Sequence, residues 1–436
     1  MAGQNRLVVG AAVRRRRRGR IDGGAAEHRH GAGMSAHRVL FFVQHLRGIG
    51  HLKRAAVIAR TLARDGIEVD IISGGPPVPD LDIGGAGFFQ LPPVFSPDDS
   101  YSRLVDESGA PATPELRRRR RARLLEHVQT RRPDMVIVEM FPFGRSQIRD
   151  DIVALLDAAR ALDPRPWLVS SVRDILSAKR TPKRYQEMAD DAEAYFDYVM
   201  VHGDKDLIPF EASFPPAGRL EGKLRYTGYV TGAETGAADR DGARARKAPG
   251  RAPGEEEGAG NGEVVVSAGG GAFAKELLEA ALLARGFSRL SSLTWRLITG
   301  PNFEDGDFRA LEAAAPAGVV IERTRRDFPE LLRRAAVSVS QAGYNTMMDI
   351  LTSGARAVVV PYLNGQQTEQ SLRAECLAAR GVVRALSGGA ITPVALARAI
   401  DAAAAGAPAN AAGIDLNGAA KSARLVAGWL ETGRRR

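Results

Sequence analysis

Polar and titratable side chains collect just after the ends of predicted strands in the first half of the chain. His51 closes a glycine loop after the first apolar run, Glu139 follows another, and Arg173 and Asp174 follow a third. Ligands of open α/β sheets bind at the carboxyl edge of the strands, where such residues meet. Histidine titrates near neutral pH, so His51 at a loop-helix junction is a candidate proton acceptor.

A second polar set follows residues 337–340, a short β-branched run that predicts a buried strand. Gly343 allows a tight turn into a helix, which we expect Asn345 or Thr346 to cap. The N-terminus of that helix offers unpaired N–H groups and a positive dipole end, which suit a phosphate. Asp349 lies near this end, where a carboxylate can accept hydrogen bonds from sugar hydroxyls. The amides that follow suit a polyhydroxyl ligand, and they are Asn364, Gln366, Gln367 and Gln370.

Alternating strand and helix patterns predict an α/β fold with two similar halves. The predicted strands cover residues 38–43, 69–73, 135–138, 167–172, 198–201, 264–267, 295–299, 319–321, 337–340 and 357–360. Residues 84–108 have a loop-like composition, and a helix is expected from about Pro114. Residues 117–121 are all arginine, which we interpret as a solvated helix face, with contact to anionic lipid or to an acceptor phosphate as the minority interpretation.

Neither glycine loop carries a full dinucleotide fingerprint. In the first loop Gly48 and Gly50 fit, but Lys53 stands at the third glycine position. The second loop contains Gly269, Gly270 and Gly271 before a helix, and again no acid ends the following strand. NAD is therefore not expected. Three glycines before a helix suit the close approach of a diphosphate.

The net charge of +10 is concentrated at the start of the chain. Residues 1–36 hold eight arginines and two acids, a net +6, which leaves +4 for the remaining 400 residues. This segment has no apolar face, so we predict a disordered basic tail. Met34 is a candidate start site, and a nucleic-acid or membrane arm is the alternative; specific nucleic-acid binding is not expected.

We predict three further segments. Residues 37–231 form an N-terminal, acceptor-side Rossmann-like domain, residues 232–262 a linker or disordered insert, and residues 263–436 a C-terminal Rossmann-like domain. The sequence contains one cysteine, Cys376, which fits a reducing compartment, and no run of roughly 20 apolar residues. We expect a cytoplasmic protein, with peripheral contact at the inner face of the membrane as an alternative.

The motif Ser340-Gln-Ala-Gly-Tyr-Asn-Thr-Met-Met-Asp349, with Gly354, Pro361, Gln367 and Gln370 after it, resembles the donor-binding segment of family 28 glycosyltransferases. That group includes the peptidoglycan lipid-intermediate N-acetylglucosaminyltransferase. Residues 37 to about 405 share the resemblance. Residues 44–51, 136–144 and 171–175 look more like a branch of predicted bacterial glycosyltransferases. The family usually has glutamate where Asp349 stands.

The resemblance implies a GT-B architecture, with two Rossmann-like parallel-sheet domains facing a cleft. It also implies transfer of a hexosyl or N-acetylhexosaminyl group from a nucleotide sugar, with UDP expected, to an unidentified acceptor that could be lipid-linked. We expect metal-independent, inverting transfer with no cofactor. Asp-x-Asp triplets occur at Asp80, Asp204 and Asp305, but we assign no metal to them.

The acceptor hydroxyl needs a base near neutral pH, and we expect His51 in this role, with Glu139 and Asp174 in reserve. The alternative is that His51 only hydrogen-bonds an acceptor phosphate or packs structurally. The implied donor-binding residues are Gly269, Gly270, Gly271, Phe328, Gly343, Asn345, Thr346, Asp349, Gln366, Gln367 and Gln370. The acceptor-side loop comprises Gly48, Gly50 and Arg173. Two other functions remain open, a sugar-nucleotide 2-epimerase of the same fold and a non-catalytic nucleotide-sugar binder.

Overall fold

The computed structural model of the protein describes residues 37–98, 101, 103–176, 180–232, 258–268, 272–300, 303–325, 327–362, 369–386 and 391–433. The predicted basic tail lies outside these residues, as does most of the predicted insert at residues 232–262. Within the described residues, no helix is both long and apolar enough to cross a membrane.

The first half of the chain forms a seven-stranded parallel sheet in the order β3-β2-β1-β4-β5-β6-β7. Its strands are β1 (Arg38–Val43), β2 (Glu68–Ser73), β3 (Gly87–Gln90), β4 (Met135–Glu139), β5 (Trp167–Arg173), β6 (Tyr198–His202) and β7 (Leu224–Tyr226). The helices between them are α1 (Gly50–Arg64), α2 (Pro114–Arg131), α3 (Arg149–Arg160) and α4 (Pro182–Tyr195). The central strands are buried on both faces, as expected when helices cover both sides of a parallel sheet.

The second half forms a six-stranded parallel sheet in the order β10-β9-β8-β11-β12-β13. Its strands are β8 (Val264–Ala268), β9 (Trp295–Thr299), β10 (Val319–Arg323), β11 (Val337–Ser340), β12 (Ala357–Val359) and β13 (Arg384–Ala385). Its helices are α5 (Ala272–Ala284), α6 (Asp305–Ala314), α7 (Phe328–Arg334), α8 (Tyr344–Ser353), α9 (Glu369–Ala379) and α10 (Pro393–Ala404). The predicted α/β fold with two parallel-sheet halves is confirmed.

The last helix, α11 (Gly418–Thr432), returns to the first half. Val426 and Leu430 belong to the same buried cluster as the apolar face of α1, and the ring of Trp429 stacks on Tyr198 with centroids 4.2 Å apart. The segment predicted as one C-terminal domain, residues 263–436, thus ends in a helix that packs on the other half.

One local prediction was wrong, and another holds only in part. Residues 84–108 were expected to be loop, but β3 pairs with β2 at the sheet edge. The arginine run was expected to be a solvated helix face, and Arg117, Arg118 and Arg119 are exposed. Arg120 is buried, and its guanidinium donates to the Gly74 carbonyl at 3.0 Å and to Gln44 Oε1 at 2.8 Å. A helix face that meets carbonyls at strand ends can bury an arginine, because those acceptors replace its water.

Candidate active site

The predicted base, His51, lies in the first turn of α1 and is hydrogen bonded to the carboxylate that ends β4. The distance from His51 Nδ1 to Glu139 Oε1 is 3.0 Å. Because β1 pairs directly with β4, the loop after β1 brings α1 beside the end of β4. The structure therefore joins two candidate catalytic residues that lie 88 positions apart in the sequence.

Glu139 is buried and accepts hydrogen bonds on both oxygens. Arg54, one turn after His51 on α1, donates to Oε1, and Ser171 from β5 donates its hydroxyl to Oε2. Burial would raise the pKa of Glu139, but the charge of Arg54 and the hydrogen bond from His51 lower it to about 2. The carboxylate is therefore ionised throughout the physiological range.

His51 is neutral, because burial and the nearby charge of Arg145 lower its pKa to about 3. Nδ1 lies 3.0 Å from the Glu139 carboxylate, which can only accept, and 3.2 Å from Arg54 Nη2, which can only donate. We assign the single proton of the neutral imidazole to Nδ1, because its shorter contact is with the acceptor. Nε2 then keeps its lone pair and bonds to no residue that the structure describes. A histidine held in this tautomer can take a proton from a substrate hydroxyl.

A chain of buried hydrogen bonds extends behind Glu139. Ser171 Oγ lies 2.9 Å from His202 Nε2, and His202 Nδ1 lies 2.9 Å from Thr227 Oγ1. Ser171, His202 and Thr227 are all fully buried. Burial lowers the pKa of His202 to about 3, so this second histidine is also neutral. Sequence reasoning marked the end of β6 as polar but missed Ser171, although a hydroxyl in an apolar strand was a usable signal.

The third candidate, Asp174, has a different environment. Its carboxylate is fully buried and forms two hydrogen bonds with Arg373 of α9, at 2.9 and 3.0 Å. Arg373 also donates to the carbonyl of Ala342, next to the glycine turn of α8, at 2.8 Å. Arg173, predicted in the acceptor-side loop, donates to Glu369 at 2.9 Å. These contacts connect the first half of the chain to the second.

The glycine turn predicted before α8 faces α1. Gly343 is the N-cap residue, so the expected caps, Asn345 and Thr346, lie inside the first turn instead. A Cβ atom on Gly50, the first residue of α1, would lie 2.8 Å from Asn345 Nδ2. The N-termini of the two helices therefore meet across the two halves, and a larger residue at position 50 would require the Asn345 side chain to move.

Tyr344, the first residue of α8, is inserted into the first half. Its hydroxyl accepts from the amide of Val230 at 3.0 Å and donates to the carbonyl of His202 at 3.3 Å. The guanidinium of Arg54 lies over its ring, 5.3 Å from the centroid. Arg54 thus contacts both Glu139 and the start of α8.

The remaining predicted donor residues are spread around this helix. Asp349 is half-buried on α8, and burial raises its pKa to about 6, against the opposing charge of Lys53 from α1. Gln370 accepts from the amide of Tyr362 at 3.1 Å, and Phe328 packs against the core under α8.

Gly48, predicted on the acceptor side, is exposed in the first loop. The predicted Gly269, Gly270, Gly271, Gln366 and Gln367 lie outside the described residues. Among the residues described, no three metal-ligating side chains converge.

Residues 264–426 match the sequence profile of the glycosyltransferase family 28 C-terminal domain. No curated protein sequence matches the chain. Among solved structures, the calicheamicin glycosyltransferase CalG4 is similar with a TM-score of 0.53 and 15% identity, over 92% of this chain and 96% of that one. MurG of Acinetobacter baumannii is similar with a TM-score of 0.50 and 15% identity, over 90% and 100%.

A third similar structure is the Streptomyces sp. SF2575 glycosyltransferase SsfS6 complexed with thymidine diphosphate, with a TM-score of 0.50 and 17% identity, over 90% and 100%. These likenesses establish the GT-B fold. The second half of the chain thus contains a glycosyltransferase family 28 C-terminal domain, within a chain whose fold is that of the GT-B glycosyltransferases.

Proposed function

We propose that the protein transfers a sugar from a nucleoside diphosphate sugar to an acceptor hydroxyl, with His51 as the base. The observation that carries this proposal is the His51–Glu139 hydrogen bond at the N-terminus of α1, directly opposite the N-terminus of α8. The proposed base and a helix end that can bind an anion then lie close to each other, as transfer from a diphosphate leaving group requires.

In the proposed reaction, the acceptor hydroxyl gives its proton to His51 Nε2 while its oxygen attacks the anomeric carbon of the sugar. The bond from that carbon to the diphosphate oxygen breaks, and attack from the opposite face inverts the configuration. Glu139 stabilises the imidazolium that forms, since its carboxylate already accepts from Nδ1. The leaving diphosphate gains negative charge, which the N-terminus of α8 would stabilise without a metal ion.

The donor side of this proposal rests on α8 and on the glycine loop before α5. We assign the diphosphate to the N–H groups after Gly343 and after Gly271, and the ribose to Asp349. UDP is the nucleotide that we expect from the family resemblance, while SsfS6, a structure of the same fold, holds thymidine diphosphate. The two nucleotides share the pyrimidine and diphosphate that this site has to recognise.

A thermal-shift panel of UDP, dTDP, GDP, CDP, ATP and NAD on the full chain tests the proposal. A nucleotide at 100 times its dissociation constant stabilises the protein by about 2.7 kcal/mol. We expect one pyrimidine nucleoside diphosphate to stabilise the wild type and the control Glu312→Ala, an exposed acid on α6, but not Asp349→Ala. If no nucleoside diphosphate stabilises the wild type, the proposed function is wrong.

Product analysis distinguishes a transferase from the alternative function, a sugar-nucleotide 2-epimerase. Incubation of the protein with the sugar nucleotide and no acceptor yields free nucleoside diphosphate by slow hydrolysis if the protein is a transferase. A new sugar nucleotide with unchanged diphosphate would instead indicate epimerisation.

A further inference from the structure

Arg145 occupies an unusual place beside the proposed base. It ends the loop after β4 and adopts a left-handed backbone conformation, with φ of 68°, which L-amino acids other than asparagine and aspartate seldom adopt. Its Nε donates to the carbonyl of Gln44, directly after β1, at 2.5 Å. The guanidinium is therefore fixed between the ends of β1 and β4, where His51 and Glu139 also lie.

Arg145 has no carboxylate partner in the part of the chain that the structure describes, unlike Arg54 and Arg173, the two arginines that the electrostatics of this site couple to it. Arg54 pairs with Glu139, and Arg173 pairs with Glu369. Among the described residues, Arg145 bonds only to a backbone carbonyl. Arg54, Arg173 and Arg145 thus have two paired carboxylates between them within that part of the chain, and the guanidinium of Arg145 is the one without such a pair.

This charge is half-buried. Burial, together with repulsion from Arg173 and Arg54, lowers the pKa of Arg145 to about 10 despite the attraction of Glu139. The same guanidinium is the strongest charge that holds the pKa of His51 down. A half-buried guanidinium without a carboxylate partner has N–H groups that are suited to an anion arriving with a substrate.

We infer that Arg145 binds a carboxylate or phosphate of the acceptor, so that the acceptor of this transferase is an anionic hydroxyl compound. This inference rests on the proposed function. The acceptor hydroxyl has to reach His51 Nε2, and Arg145 lies on the same side of the cleft as His51, at the edge of the first sheet. The donor diphosphate is assigned to α8, on the opposite side.

The binding test uses the full chain saturated with the nucleoside diphosphate that the panel identifies, so that the donor phosphate site is filled. Inorganic phosphate and D-glycerate are the probes, with glycerol as the neutral control, and isothermal titration calorimetry gives the affinity. We expect both anions to bind the wild type and Arg398→Met, which removes an exposed arginine of α10. Arg145→Met should weaken them about tenfold or more, the loss of a charged hydrogen bond, and Arg145→Lys should recover part of the affinity.

A second readout does not depend on ligand affinity. In Arg145→Met the pKa of His51, followed by its NMR imidazole resonances, should rise, because the repelling charge is gone. In the wild type it should rise when phosphate binds, for the same reason. If the pKa of His51 does not change in either experiment, the guanidinium does not act on the base.

Three outcomes of the calorimetry would overturn the inference. The first is that phosphate does not bind the nucleotide-saturated wild type, and the second is that Arg145→Met binds phosphate as well as the wild type does. The third is that Arg145→Met lowers the affinity for the nucleoside diphosphate, which would assign Arg145 to the donor diphosphate. A wild type that binds no nucleoside diphosphate would contradict the proposed function instead, so the two failures are distinguishable.

Discussion

Glu139 and Asp174 occupy matching places in the fold and have different partners. Each is a buried acid at the carboxyl end of a central strand, and the strands, β4 and β5, are neighbours. The partners of Glu139, which are His51, Arg54 and Ser171, all come from the first half of the chain. Asp174 is paired with Arg373 from the second half.

The difference shows that position at a strand end does not decide what an acid does. Glu139 orients a neutral histidine whose other nitrogen is free to accept a proton. Asp174 has both oxygens bound to one guanidinium, which occupies the oxygens that a substrate proton would have to reach. We therefore propose that Asp174 holds the two halves together and has no catalytic part.

The largest expected effect follows from breaking the Asp174 pair. Arg373→Met leaves a fully buried carboxylate without a partner, so we expect the free energy of unfolding to fall by about 3–5 kcal/mol. Denaturant titration measures it. As a control, Arg118→Met, which breaks an exposed pair with Glu115, should cost less than about 1 kcal/mol. A loss in Arg373→Met as small as in this control would mean that Asp174 does not need its partner.

The sequence could predict that His51 and Glu139 belong to the site, but it could not predict the partner of Asp174. Apolar and β-branched runs gave the bounds of β1, β9 and β11 as the structure has them, because a strand buried on both faces leaves a continuous signal. The short edge strand β3 was missed, since Phe88 is partly exposed and prolines follow nearby. His51 and Glu139 stood out as polar residues after such runs.

The partner of Asp174 could not be found in this way. Arg373 lies 199 positions later, inside a helix, and nothing in its neighbourhood marks it as buried. Arg120 was missed for the same reason, because one arginine in a run of five has no local feature that separates it from the others. Long-range pairing depends on how helices are placed over the sheets, and the spacing of residue types does not encode that placement.

The next effect is a pH dependence of stability that comes from the two neutral histidines near Glu139. His51 and His202 have folded pKa values of about 3, below the ordinary 6.5, so between these values the unfolded chain binds protons that the folded protein does not. The contribution of these histidines to the free energy of unfolding is therefore fully present above about pH 6.5, and it is lost as the pH is lowered. Each histidine can cost up to about 2 kcal/mol between pH 6.5 and pH 5.

Urea titrations of the wild type and His202→Gln at pH 7 and pH 5 measure this contribution. We expect the variant to lose less stability on acidification than the wild type, because one of the two buried neutral histidines is gone. An equal loss in both proteins would show that His202 does not resist protonation in the folded state.

An effect of similar size is expected from Ser171→Ala. The change removes one hydrogen bond to Glu139 and leaves His202 Nε2 without a partner, which should cost about 1–3 kcal/mol of unfolding free energy. It should also raise the NMR-measured pKa of Glu139, since a hydrogen bond to the charged form is lost. Ser171→Thr, which keeps the hydroxyl, should restore the pKa. An unchanged pKa in Ser171→Ala would mean that the hydroxyl does not orient the carboxylate.

The central claim is that His51 is the base, and the variant His51→Gln tests it most directly. The measurement is the release of nucleoside diphosphate from the sugar nucleotide, in parallel with nucleotide affinity by calorimetry. We predict that turnover falls by about 10²–10⁴-fold, as for loss of a general base, while the affinity for the nucleoside diphosphate stays unchanged. Turnover within a few-fold of the wild type, at equal affinity, would contradict the account.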